Sequence, residues 1–399
     1  MPRSILATTL YMIALSAATG ACSGPTEIGG STQGPSVPAL NDPSGPWASV
    51  AVGDSHTCAL DKSGTAYCWG QNDRNQLGDS TATPRNVPTA VRTLLRFSSI
   101  AAGRYTTCGI AQSGDAYCWG FYNTGVNTPT LVEQGRKYVT LAVGEYKVCG
   151  LSTDNGVYCW TTIRSDPATP TRLPGNLSFR SVVSALWRFC GITTDSQVYC
   201  WIDDVGWSAS VPTVQPVPAS VSSTAIAGGD LAQITDIYFH GCAIRSDAAV
   251  ICWGANAYGQ LGDSTHTQRA TAVPVSGGLK FSAIGAADNR SCGVTTAGEL
   301  YCWGAMMHCY ETSQLNDPGA PACKLPDGRT GAAATTSAAY PVRWLDGTHV
   351  VQVAVSTGHN CAITGNGAMY CWGTNDVGQL GRGSTGGSSI DMQQVVNPP

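Results

Sequence analysis

The cysteines are the residues of this chain whose type and spacing most directly specify chemistry. Fourteen of the 17 form seven pairs, in which the partners are ten positions apart and a tryptophan directly follows the second one. The pairs are Cys58 with Cys68, Cys108 with Cys118, Cys149 with Cys159, Cys190 with Cys200, Cys242 with Cys252, Cys292 with Cys302 and Cys361 with Cys371. Opposed positions on adjacent antiparallel strands bring Cβ atoms within disulfide range, so we expect one bridge within each pair. Each would contribute about 2.5–3 kcal/mol in the chain-entropy model.

Three cysteines lie outside these pairs. Cys309 and Cys323 fall within one long insertion, where we expect them to bridge each other, and Cys22 is left alone. The alternative is that the cysteines are buried free thiols. No C-x-x-C pair with zinc-like spacing is present, and so many thiols would be hazardous in a reducing cytosol. The cysteine usage therefore predicts an exported protein without a metal site.

Histidine is the other residue type that could carry chemistry. His56, His240 and His359 each stand two residues before the first cysteine of a pair. In the other pairs that position holds Thr106, Lys147, Arg188 and Arg290. A ring of cationic groups is the functional interpretation, and hydrogen bonding between repeat units is the structural one. We favour the structural interpretation, because a catalytic site needs different residue types that converge once.

No sequence motif for catalysis or cofactor binding is present. The chain has no Gly-rich phosphate loop, no H-E-x-x-H, no G-x-S-x-G and no kinase signature. We therefore predict that the protein is not an enzyme and binds neither a cofactor nor a metal.

The elements that position these residues are short strands. Between Cys58 and Cys68 the pattern alternates around a Ser63-Gly64 turn signal, which indicates a β-hairpin. A strand such as Phe97–Gly103 precedes each hairpin, and a Pro-bounded strand such as Val87–Val91 follows it. Four short strands in about fifty residues are typical of one propeller blade. The sequence thus predicts an all-β fold, a single seven-bladed β-propeller over residues 47–397. The predicted repeats are 47–96, 97–137, 138–178, 179–223, 224–280, 281–349 and 350–397.

The motifs of the repeat resemble those of a known family. The pattern F-x-x-I-A-x-G, then His-Thr-Cys-Ala-Leu, then G-x-x-Tyr-Cys-Trp-Gly and G-Q-L-G is similar to the regulator-of-chromosome-condensation repeat. The resemblance implies a seven-bladed propeller, here in a bacterial exported member. The founding member is an exchange factor for the Ran GTPase and binds chromatin, but an exported protein would not meet that partner. Bacterial members that inhibit β-lactamases use one propeller end to bind protein, so the resemblance favours a binding role.

The N-terminal residues predict export. Residues 1–21 combine Arg3, a short apolar core and small residues before Cys22, as in a signal peptide. The pattern resembles a bacterial lipoprotein signal, in which Cys22 would be lipidated. The alternative is cleavage after Ala21 and release of a soluble secreted or periplasmic protein. Residues 22–46 are rich in Gly, Ser, Thr and Pro, which predicts a flexible tether.

Candidate partner-binding residues lie three and four positions before the first cysteines. Four consecutive repeats place an aromatic residue three positions before: Tyr105, Tyr146, Trp187 and Phe239. Arg104, Glu145 and Tyr238 precede three of these aromatics. The loops that hold them would open on one end of a propeller, where aromatic and charged side chains make interface hot spots. The alternative is that the aromatics fill gaps between blades.

Two insertions depart from the repeat. The segment from Leu231 to Phe239 is apolar and is expected at the same end as the candidate residues. The insertion between Gly304 and Tyr340 carries Met306 and Met307 together with its own cysteine pair. A disulfide across a surface loop suggests that the shape of the loop matters.

The favoured function is a non-enzymatic protein-binding module of the bacterial cell envelope. Charged residues are 12% and the net charge is −4, which argues against nucleic-acid binding. A glycan is the other ligand class considered, and membrane contact is expected only through a lipid anchor on a monomeric protein. The alternatives are an enzyme acting on glycans or peptides in the central funnel, and a purely structural surface protein. For ring closure, we expect the segment from Met392 to Val396 to lie against the strand from Trp47 to Val52.

Overall fold

The computed structural model of the chain describes residues 45–121, 127–162, 169–185, 188–202, 215–216, 223–228, 240–305, 323–324, 330–331, 337–344 and 347–398. All of the strands among them belong to antiparallel sheets, and no described segment is helical. None could therefore cross a membrane as a helix. Cys309, the predicted partner of Cys323, and Cys22, the predicted lipidation site, lie outside the described residues.

Seven four-stranded sheets form the blades of a β-propeller, which confirms the predicted fold. The first strands are β1 (Trp47–Val52), β5 (Phe97–Ala102), β9 (Tyr138–Val143), β13 (Phe179–Ala185), β17 (Ser223–Gly228), β21 (Phe281–Ala287) and β27 (Val350–Val355). The second strands are β2 (His56–Asp61), β6 (Thr106–Ala111), β10 (Lys147–Ser152), β14 (Arg188–Thr193), β18 (His240–Arg245), β22 (Arg290–Thr295) and β28 (His359–Thr364).

The outer strands differ in length between blades. The third strands are β3 (Ala66–Gly70), β7 (Ala116–Gly120), β11 (Val157–Thr161), β15 (Val198–Ile202), β19 (Val250–Gly254), β23 (Leu300–Ala305) and β29 (Met369–Thr374). The fourth strands are β4 (Arg85–Ala90), β8 (Thr130–Leu131), β12 (Thr171–Arg172), β16 (Gln215–Pro216), β20 (Arg269–Pro274), β26 (Ser337–Arg343) and β30 (Ser388–Gln394). The insertion of blade 6 adds a hairpin of β24 (Cys323–Lys324) and β25 (Thr330–Gly331). Blades 2, 3 and 4 thus have fourth strands of only two residues.

The paired cysteines lie directly opposite each other on the second and third strands. In blade 1, Cys58 faces Cys68 with Cα atoms 4.1 Å apart, and Leu60 faces Ala66, as the alternation predicts. Each bridge lowers the conformational entropy of the unfolded chain and thereby stabilises the folded hairpin. All seven predicted intrablade bridges are present: Cys58 to Cys68, Cys108 to Cys118, Cys149 to Cys159, Cys190 to Cys200, Cys242 to Cys252, Cys292 to Cys302 and Cys361 to Cys371.

The ring closes through its innermost strands. Each first strand contacts the first and second strands of the preceding blade where both are described, and β1 contacts β27 and β28 in the same way. Each four-stranded sheet takes all of its strands from one repeat, so no blade is assembled from both ends of the chain. Val395 packs with Trp47, Val50 and Trp69 in one buried cluster, which confirms the predicted closure contact.

A tryptophan and a second aromatic fill most interfaces between blades. Trp69 directly follows Cys68, and its ring centroid lies 5.8 Å from that of Trp47, the first residue of β1. The same pair recurs as Phe97/Trp119, Tyr138/Trp160, Phe179/Trp201 and Phe281/Trp303. The disulfide of the preceding blade packs against these rings, as Cys58 and Cys68 do against Phe97 and Trp119. The repeated Cys-Trp step therefore encodes contacts between blades as well as within them.

A backbone hydrogen bond between blades accompanies this packing. The first residue of a first strand donates its N–H to the carbonyl at the hairpin turn of the preceding blade, as from Phe97 to Gly64 at 2.8 Å. The bond recurs from Trp47 to Gly367, Tyr138 to Gly114, Phe179 to Asn155, Phe281 to Ala248 and Val350 to Gly298. Gly64 has a φ of 83°, a left-handed conformation that suits glycine and asparagine best.

Candidate functional site at one end of the propeller

The three histidines before the cysteine pairs occupy identical positions between blades. His56 Nε2 lies 2.9 Å from Thr107 Oγ1 in the next blade, and both side chains are fully buried. Thr107 Oγ1 in turn donates to the carbonyl of Gln76, 2.8 Å away in the blade of His56. The relay recurs from His240 to Ser291 to Gln260, and from His359 to Thr57 to Gln379. The structural interpretation of the histidines is confirmed.

The relay fixes the protonation state of each histidine. Because the hydroxyl gives its proton to the glutamine carbonyl, it must accept one from Nε2–H, so the ring is the Nε2 tautomer. Burial lowers the pKa of His56 and His359 to about 3 and that of His240 to about 4. These residues are therefore neutral near pH 7 and do not form a cationic ring.

The G-Q-L-G motif supplies the other half of the relay. The full motif occurs in blades 5 and 7, and blade 1 has Asn75 in place of its first glycine; these are the blades with histidine, and the leucines Leu77, Leu261 and Leu380 are fully buried. Its last glycine lies against the tryptophan of the next blade: a Cβ on Gly78 would meet Trp119 Nε1 at 2.7 Å. Gly78 also has a φ of 65°, so both the space and the backbone favour glycine.

Blade 6 uses an arginine in place of the histidine. Arg290 is buried and donates through Nη2 to the Thr357 carbonyl at 3.2 Å. With the Asn360 amide oriented so that its oxygen faces Arg290, Nη1 lies 3.1 Å from it. Burial lowers the pKa of Arg290 to about 10, and the opposing charge of Asp288 limits the shift. Four consecutive interfaces, from blades 5–6 to blades 1–2, thus carry a buried polar link.

The other three interfaces are apolar at the corresponding position. Val148, Phe189 and Gly241 replace the hydroxyl or amide, and blades 2, 3 and 4 lack G-Q-L-G. Blades 2, 3 and 4 are also the blades with two-residue fourth strands. Three of the four predicted aromatics, Tyr105, Tyr146 and Trp187, belong to these blades. The residues that form polar links between blades are therefore replaced in the same part of the ring that carries the predicted aromatic loop residues.

The loops between first and second strands are joined in a chain of polar contacts around the axis. Thr357 Oγ1 of blade 7 donates to Asp54 of blade 1. Asp54 Oδ2 lies 3.7 Å from Arg104 Nε in blade 2, and Arg104 Nη1 donates to Glu145 Oε1 in blade 3 at 2.7 Å. The two predicted charged residues, Arg104 and Glu145, thus pair with each other. Glu145 is 1% exposed, so it supports Arg104 rather than facing solvent.

The described aromatics of the prediction lie half-buried at this end. Tyr105 packs 6.0 Å from Phe121, and the Arg104 guanidinium lies 5.0 Å from the Tyr105 ring centroid. Arg74 of blade 1, whose side chain is 52% exposed, lies 5.5 Å from the Phe121 ring and 6.0 Å from that of Tyr105. We call Arg74, Arg104, Tyr105 and Phe121 the aromatic–arginine cluster.

The other predicted residues of this end divide into described and undescribed ones. A hydrogen bond to Glu145, and then burial, raise the pKa of Tyr146, which links it to the polar chain. Trp187, Tyr238 and Phe239 lie outside the described residues, as do Met306 and Met307. Their partner-binding role stays a prediction.

Phe121 and Arg74 were not among the sequence candidates. Phe121 follows Trp119-Gly120 and donates its N–H to the Tyr105 carbonyl. In blade 1, Gln71 occupies the equivalent position and donates its N–H to the Ser55 carbonyl. A comparison of the residues after each tryptophan would have revealed an aromatic at this one position.

A small cavity lies near the axis, among the innermost strands of the blades. Its volume is about 70 Å³, and it is lined mainly by the ends of the first strands, including Val52, Ala102, Val143 and Val355. Asp54 and Asp288 lie at its rim. Ligand pockets usually span about 300–1,000 Å³, so this cavity has room for a few waters only. In the described part of the chain, no three His, Cys, Asp or Glu side chains are grouped as a metal site would require.

Family models of the regulator of chromosome condensation (RCC1) repeat match residues 47–76, 97–124, 238–260 and 350–379, and a second model of that repeat matches 63–110. The human E3 ubiquitin-protein ligase HERC2 is 27% identical over 184 residues, which are 45% of this chain and 4% of HERC2. The Arabidopsis thaliana ultraviolet-B receptor UVR8 is 24% identical over 192 residues, 44% of this chain and 39% of UVR8. The chain thus spans well under two thirds of either relative.

Solved structures of similar fold include the ectodomains of two plant receptor kinases. The Arabidopsis thaliana ACR4 ectodomain has a TM-score of 0.53 at 18% identity, with 88% of this chain and 99% of that one covered. The Physcomitrella patens CR4 ectodomain has the same TM-score and identity, with 82% and 74% covered. At this identity the likeness concerns the fold alone.

Proposed function

Because the chain belongs to the regulator-of-chromosome-condensation repeat family, whose propellers are generally binding or regulatory proteins, we propose that it is a non-enzymatic protein-binding module exposed at the cell envelope. Its partner docks on the loop end of blades 2–5. The aromatic–arginine cluster is the observation that carries this proposal. Arg and Tyr are enriched in interface hot spots, and here they are held in place on a rigid scaffold.

The position of the cluster supports this face. Arg104 is fixed by Glu145 and Asp54 and stacks beside Tyr105, so the ring needs little reordering on binding. Tyr146 continues the surface into blade 3 through its bond with Glu145. From the sequence repeat alone, we expect Trp187, Tyr238 and Phe239 to extend it into blades 4 and 5. A glycan ligand would use the same aromatics and is an outcome that the binding test distinguishes.

The bridges support an exported location. Seven disulfides indicate an oxidising, extracellular type of environment. Within that environment we propose that a bacterial host anchors the protein by lipidation of Cys22, with residues 23–46 as the tether. Replacement Cys22→Ser should move the protein from the membrane fraction to the soluble fraction. Intact mass should show loss of a lipid, and an unchanged distribution would refute the anchor.

Crosslinking and pull-down from the envelope fraction of the source organism would test the binding face. Tyr105→Ala and Phe121→Ala should each weaken capture of the partner at least about thirty-fold, the equivalent of a hot-spot loss of about 2 kcal/mol. The matched control is Tyr340→Ala, because Tyr340 is 45% exposed on the fourth strand of blade 6. Equal capture by all three variants would refute the proposed face. Capture of a polysaccharide in place of a protein would refute the partner class.

A further inference from the structure

The interface between blades 7 and 1 differs from the others in how it is held. At every other interface, a short segment of the chain joins the two neighbouring blades, as residues 91–96 join β4 to β5. Blades 7 and 1 are joined through the chain only by way of the five other blades. We call this interface the seam. If the contacts of the seam break, blades 7 and 1 can move apart. At any other interface, the short connection keeps the two blades at a high effective concentration.

In the described part of the chain, hydrogen bonds and packing close the seam. Trp47 N–H donates to Gly367 O at 3.1 Å. The Gln352 amide pairs with both backbone groups of Val50, at 3.2 and 2.9 Å. Near the axis, His359 Nε2 lies 2.6 Å from Thr57 Oγ1, which donates to Gln379 O. His359 is therefore the titratable side chain at the centre of this interface.

A second proton on His359 would have to enter at Nδ1. That atom lies 3.5 Å from Ser356 Oγ, a hydroxyl that already donates to the His359 carbonyl at 2.8 Å. No described carboxylate bonds to the ring, since Asp54 accepts from Thr357 and lies beside Arg104. An imidazolium here would be buried with only the Ser356 hydroxyl and the Asp54 backbone as hydrogen-bond partners, and with no carboxylate among the described residues bonded to it.

The neighbouring charges oppose protonation as well. Burial lowers the pKa of His359, and His56 of blade 1 and Arg290 of blade 6 lower it further, while the backbone at Asp54 acts in the opposite sense. His56, His359 and Arg290 are all fully or almost fully buried at matching positions of consecutive blades. Once the seam parts, His359 reaches water and these restraints on its charge are lost.

We propose that the seam is an acid-sensitive latch: the neutral His359–Thr57 contact holds blades 7 and 1 together, and protonation of His359 opens the ring there. Below the ordinary titration range of histidine, near pH 6.5, the open form takes up a proton that the closed form excludes. The equilibrium population of the open form therefore rises about tenfold for each pH unit. The bond from Thr357 to Asp54 also crosses the seam, so opening disconnects the polar chain at the loop end.

Hydrogen exchange at residue resolution on the intact, oxidised protein tests the latch. Two amides report on equivalent interfaces: Trp47 N–H, bonded to Gly367 O across the seam, and Tyr138 N–H, bonded to Gly114 O between blades 3 and 2. After correction for intrinsic exchange, protection of Trp47 should fall about tenfold per unit between pH 6 and 4. Protection of Tyr138 should change much less over the range in which this amide exchanges through opening of its own interface, because that interface has no histidine.

The variant His359→Gln separates the latch from simple stability. A glutamine amide can still donate to Thr57 Oγ1 but cannot take up a proton, so the extra pH dependence at Trp47 should disappear whatever the overall stability. His240→Gln, at the tethered interface of blades 5 and 6, should leave the extra pH dependence at Trp47 unchanged. Equal loss of protection at Trp47 and Tyr138 in acid would mean global unfolding and would overturn the proposal. Persistence of the slope in His359→Gln would overturn it too.

Discussion

Trp344 stacks on Trp372 with ring centroids 6.0 Å apart, and this pair replaces a contact that the repeat of blade 7 lacks. Blades 1, 2, 3, 4 and 6 begin with an aromatic residue that packs on the tryptophan after the second cysteine. Blade 7 begins with Val350. Trp344, six residues earlier and fully buried, supplies the missing ring.

Trp344→Ala should therefore destabilise the protein as strongly as loss of a core aromatic. We expect a decrease of about 3–5 kcal/mol in the free energy of unfolding, because a large buried cavity would remain between blades 6 and 7. Urea unfolding measures it. Tyr340→Ala, in the same segment but exposed, should change stability by less than about 0.5 kcal/mol. Similar values for both variants would show that Trp344 does not fill the interface.

The last glycine of the Gln-Leu-Gly motif offers a test of the contact between neighbouring blades. Gly78→Ala should cost on the order of 2–5 kcal/mol, since the residue is left-handed and its Cβ would strike Trp119. Gly386 is also left-handed, with a φ of 89°, but a Cβ there meets nothing within 4 Å. Gly386→Ala should cost only the backbone penalty, about 1–2 kcal/mol. Equal losses would show that Trp119 moves aside freely.

The fold was predictable from the sequence because the repeat states it seven times. Cysteine spacing, the following tryptophan and the alternation around Ser63-Gly64 specify the hairpin, and the number of copies specifies the ring. The link between histidine and the Gln-Leu-Gly of this motif was also visible, since both occur in blades 1, 5 and 7. Their contact was not, because the hydroxyl between them belongs to the next blade.

The candidate site was predictable only in outline. The described residues three and four positions before the first cysteine do lie in the loops at one end, but the pairing of Arg104 with Glu145 crosses from blade 2 to blade 3. Such contacts depend on how far one blade is rotated from the next, which no single repeat encodes. Trp344 was missed for a related reason, since it lies beyond an insertion where the repeat period is lost.

Acid should destabilise the whole protein through its three buried histidines. Their folded pKa values, about 3 for His56 and His359 and about 4 for His240, lie below the unfolded value near 6.5. Their contribution to stability is thus complete above pH 6.5 and is lost as the pH falls toward 4. Each histidine contributes a slope of about 1.4 kcal/mol per pH unit to the free energy of unfolding. The three together contribute about 4 kcal/mol per pH unit.

Urea unfolding at pH 6.5, 5.5 and 4.5 measures that slope. His240→Gln should remove about one third of it, since one of the three protons is then missing. His266→Gln, which changes an exposed histidine, should leave it unaltered. A slope near zero in the natural protein would show that these rings are already solvated.

Non-reducing peptide mapping should find the seven hairpin bridges of the structure, with each of Cys68, Cys118, Cys159, Cys200, Cys252, Cys302 and Cys371 joined to the cysteine ten residues before it. It should also find a bridge between Cys309 and Cys323, with Cys22 unpaired. The eighth bridge rests on the sequence alone, because the two cysteines are left over in one insertion. Either of them joined to Cys22 would contradict both the loop disulfide and the proposed lipidation.

The C-terminal strand should be essential to the closed ring. Met392 is buried with Trp344 and Trp372, and Val395 is buried with Trp47 and Trp69 across the seam. Deletion of residues 391–399 would uncover both clusters, and it would also remove the hydrogen bond from Val395 N–H to Met369 O.

We expect this deletion to lower the melting temperature by at least about 10 °C, since each buried apolar side chain of this size contributes about 1.5–3 kcal/mol. Deletion of residues 397–399 alone, beyond both buried side chains, is the matched control and should leave the melting temperature within about 2 °C. The variant Val395→Ala separates the seam from the sheet, because it keeps β30 paired to β29 while removing the contact with Trp47. If the long deletion melts like the natural protein, blades 7 and 1 do not depend on this strand for closure.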